Sequence, residues 1–557
     1  MANQSNVSEQ APPVTHGESG DAPVRDWRFW LIFVSLMVST FMFALEAVAV
    51  GNALPSIVHR FNGTQFIWIG SAYALAACAF LPLTGVLAQV AGRRVVMLGA
   101  LAFFAVGSAI SGAASSMNVL IVGRTIQGVG GGGIVSVTQI ILSDLVPLRE
   151  RGTFSGLIAI AFTIASCIGP VVGGSLAQSG QWRWLFYLNI PISGVTAVLT
   201  LMFLNLKTPP GSVKEKLKYM DWIGNVLIIS STTAVVIGLT WGGVQFSWSS
   251  AKVLAPLILG LLGLCVFLLY EVTLAETPMV PFLLMSNRTG LSGFVQTFLN
   301  QIIMLATTYY LPVYFQACKD AGPIASGVDI FGLACTVAPL SLIAGATVTK
   351  SAQYRPQIWF GWALLMLGCG LLSSLDADSS RSKAIGFQIL VGSGLGIVYV
   401  ATYFPVLAPL PITQNARALA FFVFLRNFAV VWGITIGGTI LQNELRKNLP
   451  AEFASTFTDS TQIAYAVIPQ IPDLPQPLKD EVRRAFADSV RVIWQVLTGI
   501  SGMGLLVSLA MKGLPLHTST DQEWGMQERK ERKGAIQEDE AMKKTGGPQV
   551  SIVVDSA

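Results

Sequence analysis

Ionisable side chains are rare in the long apolar runs of this chain, and those that occur there are the first candidates for chemistry. Glu46 lies in the first run, Arg124 in the fourth and Arg426 in the thirteenth, and Asp329 lies close to one end of the tenth. A charge inside the hydrocarbon layer of a membrane is costly and usually functional. The sequence has no HExxH, CxxC or GK[ST] motif and only three histidines. These absences argue against a zinc enzyme and an ATP-driven pump.

Glu46 and Arg124 have a spacing that suits a pair of opposite charges. Glu46 lies about five residues, and Arg124 about six, from the expected outer ends of two runs that cross in opposite directions. Because a helix rises about 1.5 Å per residue, the two side chains lie at similar depth. The guanidinium favours the ionised carboxylate, whereas burial favours the neutral acid. We predict that Glu46 and Arg124 form a proton-responsive pair; the alternative is a static ion pair that only fixes helix packing.

The elements that must position these residues are membrane-spanning helices. The chain is 52% hydrophobic and 12% charged, whereas a soluble domain is about 25% charged. A span needs about 20 mostly apolar residues. We therefore predict an all-α membrane protein with 14 transmembrane helices, at about 29–51, 66–88, 95–114, 118–142, 153–177, 184–204, 222–243, 253–270, 290–315, 327–349, 357–375, 384–407, 418–441 and 489–511.

A weak internal repeat predicts two pseudo-symmetric six-helix bundles. GVLAQVAGRR (85–94) and GATVTKSAQYRP (345–356) each follow the second span of their half, and duplicated halves with a site between them are a transporter design. The predicted organisation is a disordered N-terminal tail (1–27), a first bundle (28–204), a loop (205–221), two linker helices (222–270), a second bundle (271–511) with a long external loop (442–488), and a C-terminal tail (512–557).

Charges in the loops predict the orientation of the chain. Lys and Arg are more frequent in the loops that are cytoplasmic if both termini are inside the cell. That orientation places the sequon at Asn62 outside, where we expect glycosylation, although a chance match is the alternative. A second sequon at Asn287 falls on the cytoplasmic side. We expect a multi-pass protein of the plasma membrane, with a vacuolar or vesicular membrane as the alternative.

Several motifs resemble one transporter family. The loop GVLAQVAGRR, the fourth-run motif IVGRTIQGVGGGG (121–133), the fifth-run motif ASCIGPVVGG (165–174), WRWLFYLNIPI (182–192) and YYLPVYFQ (309–316) together resemble the major facilitator superfamily. Within it, they are most similar to the fourteen-spanner drug:proton antiporters, and the polar tails resemble those of fungal toxin and multidrug efflux pumps. The resemblance implies proton-coupled export of drugs, toxins or secondary metabolites by alternating access, driven by the proton gradient without a cofactor.

The same resemblance assigns conformational roles to two motifs. The glycines of the first loop permit a tight turn, and its arginines hold that turn on the inner side. Proline and small residues in the fifth run allow a bend and close helix contacts. Two positions depart from the family pattern: Glu46 replaces an aspartate of the first helix, and Gln89 replaces an aspartate that stabilises one gating state. The residues concerned are Gly85, Gly92, Arg93, Arg94, Gly169, Pro170, Gly173 and Gly174.

Uncharged polar residues and tyrosines of the ninth run are candidates for substrate binding. Such groups suit a neutral or mildly charged, largely apolar ligand, although hydrogen bonding between helices explains them equally well. We expect a monomer that binds a small-molecule substrate, protons and lipid but no nucleic acid. An importer, for example of an iron chelate, and a transporter-like sensor are the alternatives. The candidate residues are Gln296, Asn300, Gln301, Tyr309 and Tyr310.

Overall fold

The protein is helical throughout the part described by the computed structural model, which covers residues 26–61, 67–206, 221–243, 246–275, 286–450 and 468–516. The hydrocarbon core of a bilayer has no water to bond the backbone N–H and C=O groups. A helix satisfies these groups within one segment, so long apolar runs form helices. The helices are α1 (Trp27–Phe61), α2 (Ile67–Val90), α3 (Arg93–Gly112), α4 (Met117–Leu145), α5 (Leu148–Gln178), α6 (Trp184–Tyr187), α7 (Asn189–Phe203), α8 (Trp222–Trp241), α9 (Ala251–Thr273), α10 (Arg288–Lys319), α11 (Pro323–Asp329), α12 (Phe331–Ser351), α13 (Arg355–Leu372), α14 (Arg381–Ala401), α15 (Tyr403–Leu407), α16 (Asn415–Asn448) and α17 (Leu478–Leu509).

Twelve stretches of the described residues are long and apolar enough to cross a membrane. The predicted runs at 290–315 and 357–375 are also helical, as α10 and α13, but they are not among the twelve. Both helices contain polar residues, and α13 is only 18 residues long and begins with Arg355-Pro356-Gln357. The all-helical prediction is therefore confirmed, and the count of fourteen spans is not.

Several helix bounds differ from the prediction. Helix α1 continues about ten residues beyond the predicted end of the first span, to Phe61. The tenth predicted span is divided into α11 and α12 by a break at Ile330. The external loop predicted over 442–488 is shorter, because α16 extends to Asn448 and α17 begins at Leu478. The charged residues before the last span thus form the first turns of one long helix.

The helices pack as two groups joined by a pair. In the first group, α4 packs on α2 and α3, and α1 packs on α5 and α7. In the second group, α14 packs on α12 and α13, while α10 packs on α16 and α17. Helices α8 and α9 pack on each other, and α8 also contacts α2 and α16. The contacts between the two groups are symmetric. The fifth long helix of the first group, α5, packs on the second long helix of the second group, α12. The second long helix of the first group, α2, packs on the fifth long helix of the second group, α16.

Glycine permits the closest approach between the groups. A methyl group on Gly152 of α5 would lie 2.8 Å from the Cα atom of Gly345 in α12, and one on Gly85 of α2 would overlap the side chain of Ala420 in α16. These sites lie toward the end of the molecule where α2 ends and α3 begins, which we call the Arg93 end. The Nε atom of Arg149 donates to the Thr349 carbonyl oxygen there, at 2.8 Å. The two groups are therefore closed against each other at the Arg93 end.

Candidate functional site

An ion pair is buried in the middle of the first group. Glu46 of α1 and Arg124 of α4 are 1% and 2% exposed, and Arg124 Nη1 donates to Glu46 Oε1. The second carboxylate oxygen, Glu46 Oε2, accepts a hydrogen bond of 2.5 Å from the side-chain amide of Asn189 in α7. Both carboxylate oxygens therefore have donors, as a charge in a low-dielectric interior requires. The structure brings the two predicted residues together, and their role in proton coupling stays a prediction.

Arg124 makes further contacts that hold its guanidinium in place. Its Nε atom donates to the Ile69 carbonyl oxygen of α2 at 2.9 Å, and Nη1 also donates to Gln127 Oε1 at 2.7 Å. The Tyr73 ring lies 4.4 Å from the guanidinium carbon, a distance that gives a favourable cation–π contact. Gln127 in turn donates to the Ser108 hydroxyl of α3. One charged pair thus connects α1, α2, α3, α4 and α7.

Glu46 can be protonated while the Arg124 guanidinium keeps its other interaction partners. If the carboxyl takes up a proton, the guanidinium keeps the Ile69 carbonyl, the Gln127 side chain and the Tyr73 ring as partners. The electrostatic attraction that joins α1 to α4 then weakens. The arrangement is chemically able to couple protonation to helix separation.

The predicted loop motif holds the Arg93 end together. Arg93, which is 2% exposed, forms an ion pair of 2.9 Å with Asp144 of α4 and donates to the Ala88 carbonyl oxygen. Arg94 donates to Asn205 at 3.0 Å. Gly92 has a φ of +90°, where a side chain would strain the backbone. Asp144 was not predicted from the sequence as the partner of Arg93.

Gln89, the departure from the family pattern, contacts the second group. Arg417 of α16 donates through Nε to Gln89 Oε1 at 3.1 Å. The contact spans α2 and α16, the helices that meet at the Arg93 end. An amide oxygen is a weaker acceptor for a guanidinium than a carboxylate. Gln89 therefore keeps a hydrogen bond between the two groups, but it lacks the negative charge that an aspartate would place beside Arg417.

The glycines of α5 differ in their surroundings. A methyl group on Gly173 would overlap the backbone of Ala49 in α1, and Gly169 is buried. The helix is continuous from Leu148 to Gln178. The side-chain surroundings of Pro170 and Gly174 lie outside what is described, as does Asn62 with its predicted glycosylation site. Close packing of α5 on α1 is thus seen at Gly173.

The five polar candidates of α10 do not share one environment. Gln296 accepts from Trp362 Nε1 at 2.8 Å and donates to the Ser292 hydroxyl at 2.9 Å, and the Tyr310 hydroxyl donates to the Ile434 carbonyl oxygen at 2.6 Å. These two residues therefore connect helices of the second group. By contrast, the side-chain oxygens of Asn300 and Gln301 have no hydrogen-bond partner among the described residues, and Tyr309 is 46% exposed. The role of these three residues in substrate binding stays a prediction.

Residues 36–434 match the family model described as Major Facilitator Superfamily. The chain belongs to this superfamily. It is a transporter, as expected from the sequence, and not an enzyme, because its relatives are transporters. The efflux pump FUS6 of Gibberella moniliformis is 37% identical, covering 95% of this chain and 96% of the relative. The MFS-type efflux pump LUC4 of Fusarium sp is 38% identical, covering 91% and 92%. The Acurin A biosynthesis cluster MFS-type transporter of Aspergillus aculeatus is 36% identical, covering 92% and 95%.

Two solved structures share the fold at low identity. The human organic anion transporter MFSD10 (TETRAN) has a TM-score of 0.56 and 15% identity, covering 87% of this chain and all of that chain (100%). The proton:xylose symporter XylE also has a TM-score of 0.56, with 12% identity and coverage of 88% and 98%. These likenesses establish the fold of this transporter and leave its substrate open. The predicted resemblance to the superfamily and to fungal efflux pumps is confirmed.

Proposed function

We propose that this superfamily transporter exports small organic molecules, such as fungal secondary metabolites or toxins, in exchange for protons by alternating access. Relatives named as efflux pumps, which match more than nine tenths of the chain, support export. The observation that carries proton exchange is the buried Glu46–Arg124 pair. Its carboxyl can be neutralised while the guanidinium keeps other partners. No cofactor is needed, because the proton gradient supplies the energy.

The proposed topology has fourteen spans and both termini in the cytosol. Helix α10 packs between α16 and α17, and α13 packs between α14 and α17, so we assign both as spans despite their polar residues. The first six spans form one bundle (28–204), the last six form the other (271–511), and α8 and α9 link them. Arg93 and Arg94 place the Arg93 end in the cytosol. We assign the transporter to the plasma membrane as a monomer, glycosylated at Asn62.

In this orientation the structure represents a state that is sealed from the cytosol. The gate consists of the contacts of α5 with α12 and of α2 with α16. Proton binding to Glu46 weakens its attraction to Arg124 and thereby changes the packing of the first bundle. Release of the gate then exposes the substrate site to the cytosol. Deprotonation restores the ion pair and the closed gate.

Accumulation of compounds in a sensitive host tests the proposed direction and energy source. Cells that express the chain are loaded with fluorescent drugs and fungal metabolites, with and without a protonophore. Lower accumulation that the protonophore restores is expected. Higher accumulation would instead indicate an importer, and no change with any compound would favour a sensor.

Glu46→Gln tests the coupling residue. The amide keeps the size of the side chain but cannot release a proton, so we expect loss of proton-driven efflux with unchanged surface expression. Glu444→Gln is the matched control, because Glu444 makes an ion pair of 2.7 Å with the exposed Lys447. The control should transport normally. Proton-driven efflux that survives Glu46→Gln would contradict the assignment.

A further inference from the structure

Arg426 is a guanidinium held between aromatic rings inside the second group. It lies on α16, about eleven residues from the start of that helix, and is half-buried. The guanidinium carbon is 3.7 Å from the centroid of the Tyr399 ring in α14 and 4.2 Å from that of Phe422. One of its nitrogens donates to the Tyr399 carbonyl oxygen. Cation–π contacts and a carbonyl group thus fix the position of this charge without neutralising it.

The charge of Arg426 differs from those of the two arginines that form buried ion pairs. Arg124 is paired with Glu46, and Arg93 is paired with Asp144. Within the described parts of the chain, no carboxylate lies within ion-pair distance of Arg426. A guanidinium has five N–H donors, and the structure shows one nitrogen of Arg426 as a donor, to the Tyr399 carbonyl oxygen. An unneutralised arginine at membrane depth is costly and marks a candidate site for an anion.

A second donor lies beside this charge. Tyr403 of α15 is 3% exposed, and its ring meets the Phe422 ring edge-on with centroids 5.4 Å apart. Its hydroxyl has no hydrogen-bond partner among the residues described. The Tyr403 ring and the Arg426 guanidinium both lie against the Phe422 ring, and α15 also contacts α5, the helix that carries Arg151. A buried hydroxyl without a partner is unfavourable, and an anion beside Arg426 would accept its hydrogen bond.

The Asp144 carboxylate near the end of α4 is already engaged, because it forms the ion pair with Arg93. Arg151 is 1% exposed, and it donates to the carbonyl oxygens of Val146 and Ser143. The Arg426 guanidinium thus leaves a positive charge beside the Phe422 ring, which Tyr403 also contacts. Such surroundings favour a ligand with a negative charge over a neutral one.

We propose that Arg426 and the Tyr403 hydroxyl bind an anionic group, a carboxylate or an enolate, of the molecule that this transporter carries. The proposal rests on the proposed function and narrows its substrate class to organic acids with an apolar body. The aromatic rings of Tyr399 and Phe422 orient the guanidinium.

Binding to the purified full-length chain tests this site without any transport. Matched pairs of an acid and its amide are titrated at neutral pH by isothermal calorimetry: 2-naphthoic acid with 2-naphthamide, cinnamic acid with cinnamamide, and decanoic acid with decanamide. The two members of each pair differ little in size but differ in charge. We expect at least one acid to bind about tenfold or more tightly than its amide, because hydrogen bonds to a charged group are the stronger kind.

Three variants assign that preference to the site. Arg426→Gln should abolish the preference for the acid, and Arg426→Lys should keep part of it, since the charge remains but the planar fork is lost. Tyr403→Phe removes only the hydroxyl and should weaken binding of the acid a few-fold while leaving the amide unchanged. Arg381→Gln is the control, because Arg381 is 48% exposed at the surface.

The outcomes separate this proposal from the proposed function. If the wild-type chain does not prefer the acid in any pair, or if Arg426→Gln retains the preference, the anion site is refuted, even where efflux of neutral compounds is observed. If the acid preference depends on Arg426 but cells show uptake rather than efflux, the site stands and the direction of transport is wrong. If Arg426→Gln fails to fold, Tyr403→Phe decides, because unchanged binding of the acid by that variant would refute the site.

Discussion

Gly345 is the position where a single methyl group should disable the gate. A Cβ atom there would lie 2.6 Å from the backbone nitrogen of Thr153, and it would also overlap the carbonyl group of Gly152. Both neighbours are backbone atoms, so no side-chain rotation can relieve the contact. The clash exists only while α5 and α12 are in contact. Gly345→Ala should therefore destabilise the state closed at the Arg93 end and leave the open state unchanged.

The expected magnitude follows from the cost of overpacking. An added methyl group in a filled contact costs about 1–3 kcal/mol, which corresponds to a shift of about 5- to 150-fold in the ratio of closed to open molecules. A transporter that cannot close one gate cannot complete its cycle, so the rate of efflux should fall in proportion. Gly386→Ala is the matched control, because a methyl group on Gly386 of α14 would meet no atom within 4 Å.

Cross-linking across the gate measures this shift directly. The hydroxyl oxygens of Thr153 and Thr349 are 3.1 Å apart in the closed state, so the double variant Thr153→Cys, Thr349→Cys should form a disulfide under mild oxidation. Adding Gly345→Ala should slow that reaction about fivefold or more, whereas adding Gly386→Ala should not. If Gly345→Ala cross-links and transports at the rate of the control, the contact does not belong to the gate and the reasoning fails.

Two further predictions concern the Gln89–Arg417 contact between the groups and the buried Trp362 of the second group. Gln89→Glu should strengthen the contact with Arg417 by about 1 kcal/mol, because a carboxylate is the better acceptor for a guanidinium. The Thr153→Cys, Thr349→Cys pair should then cross-link about fivefold faster, and an unchanged rate would exclude this contact from the gate. Trp362→Ala should destabilise the second group by about 3–5 kcal/mol, since Trp362 is fully buried and donates to Gln296. The melting temperature of the Trp362→Ala variant in detergent should fall well below that of the control Trp222→Ala, which removes a ring that is 53% exposed. Equal melting temperatures would argue against the burial of Trp362 in the second group.

The contact between Glu46 and Arg124 could be predicted because it depends only on which spans carry charges and on the depth of those charges. Charges are scarce in the spans, and depth follows from counting residues along helices that run in opposite directions. The partners that complete the site could not be predicted in this way. Asn189 begins α7 and Asp144 lies near the end of α4, and polar residues at the ends of spans look like ordinary loop residues.

The rotation of α10 about its axis could not be predicted from the sequence either. Its polar residues occur on several faces, so the sequence does not indicate which of them face a ligand. The structure shows that Gln296 and Tyr310 are bonded to other helices, while Asn300 and Gln301 retain free groups. Helix rotation is set by packing against neighbours that lie far apart in sequence. The apolar runs predicted the helices themselves because a segment of about 20 mostly apolar residues is favoured in lipid as a helix.

The ion pair at Glu46 also constrains how the chain enters the membrane during synthesis. Arg124 lies 78 residues after Glu46, and at about 5–20 residues per second the ribosome needs about 4–16 s to reach it. Asn189, the other donor to the carboxylate, lies 143 residues after Glu46. A charge in a spanning helix raises the cost of insertion, by about 2.5–3.5 kcal/mol at the helix centre. Entry of Glu46 as a neutral acid, or a delay of α1 beside the translocon until α4 has been made, would reduce this cost.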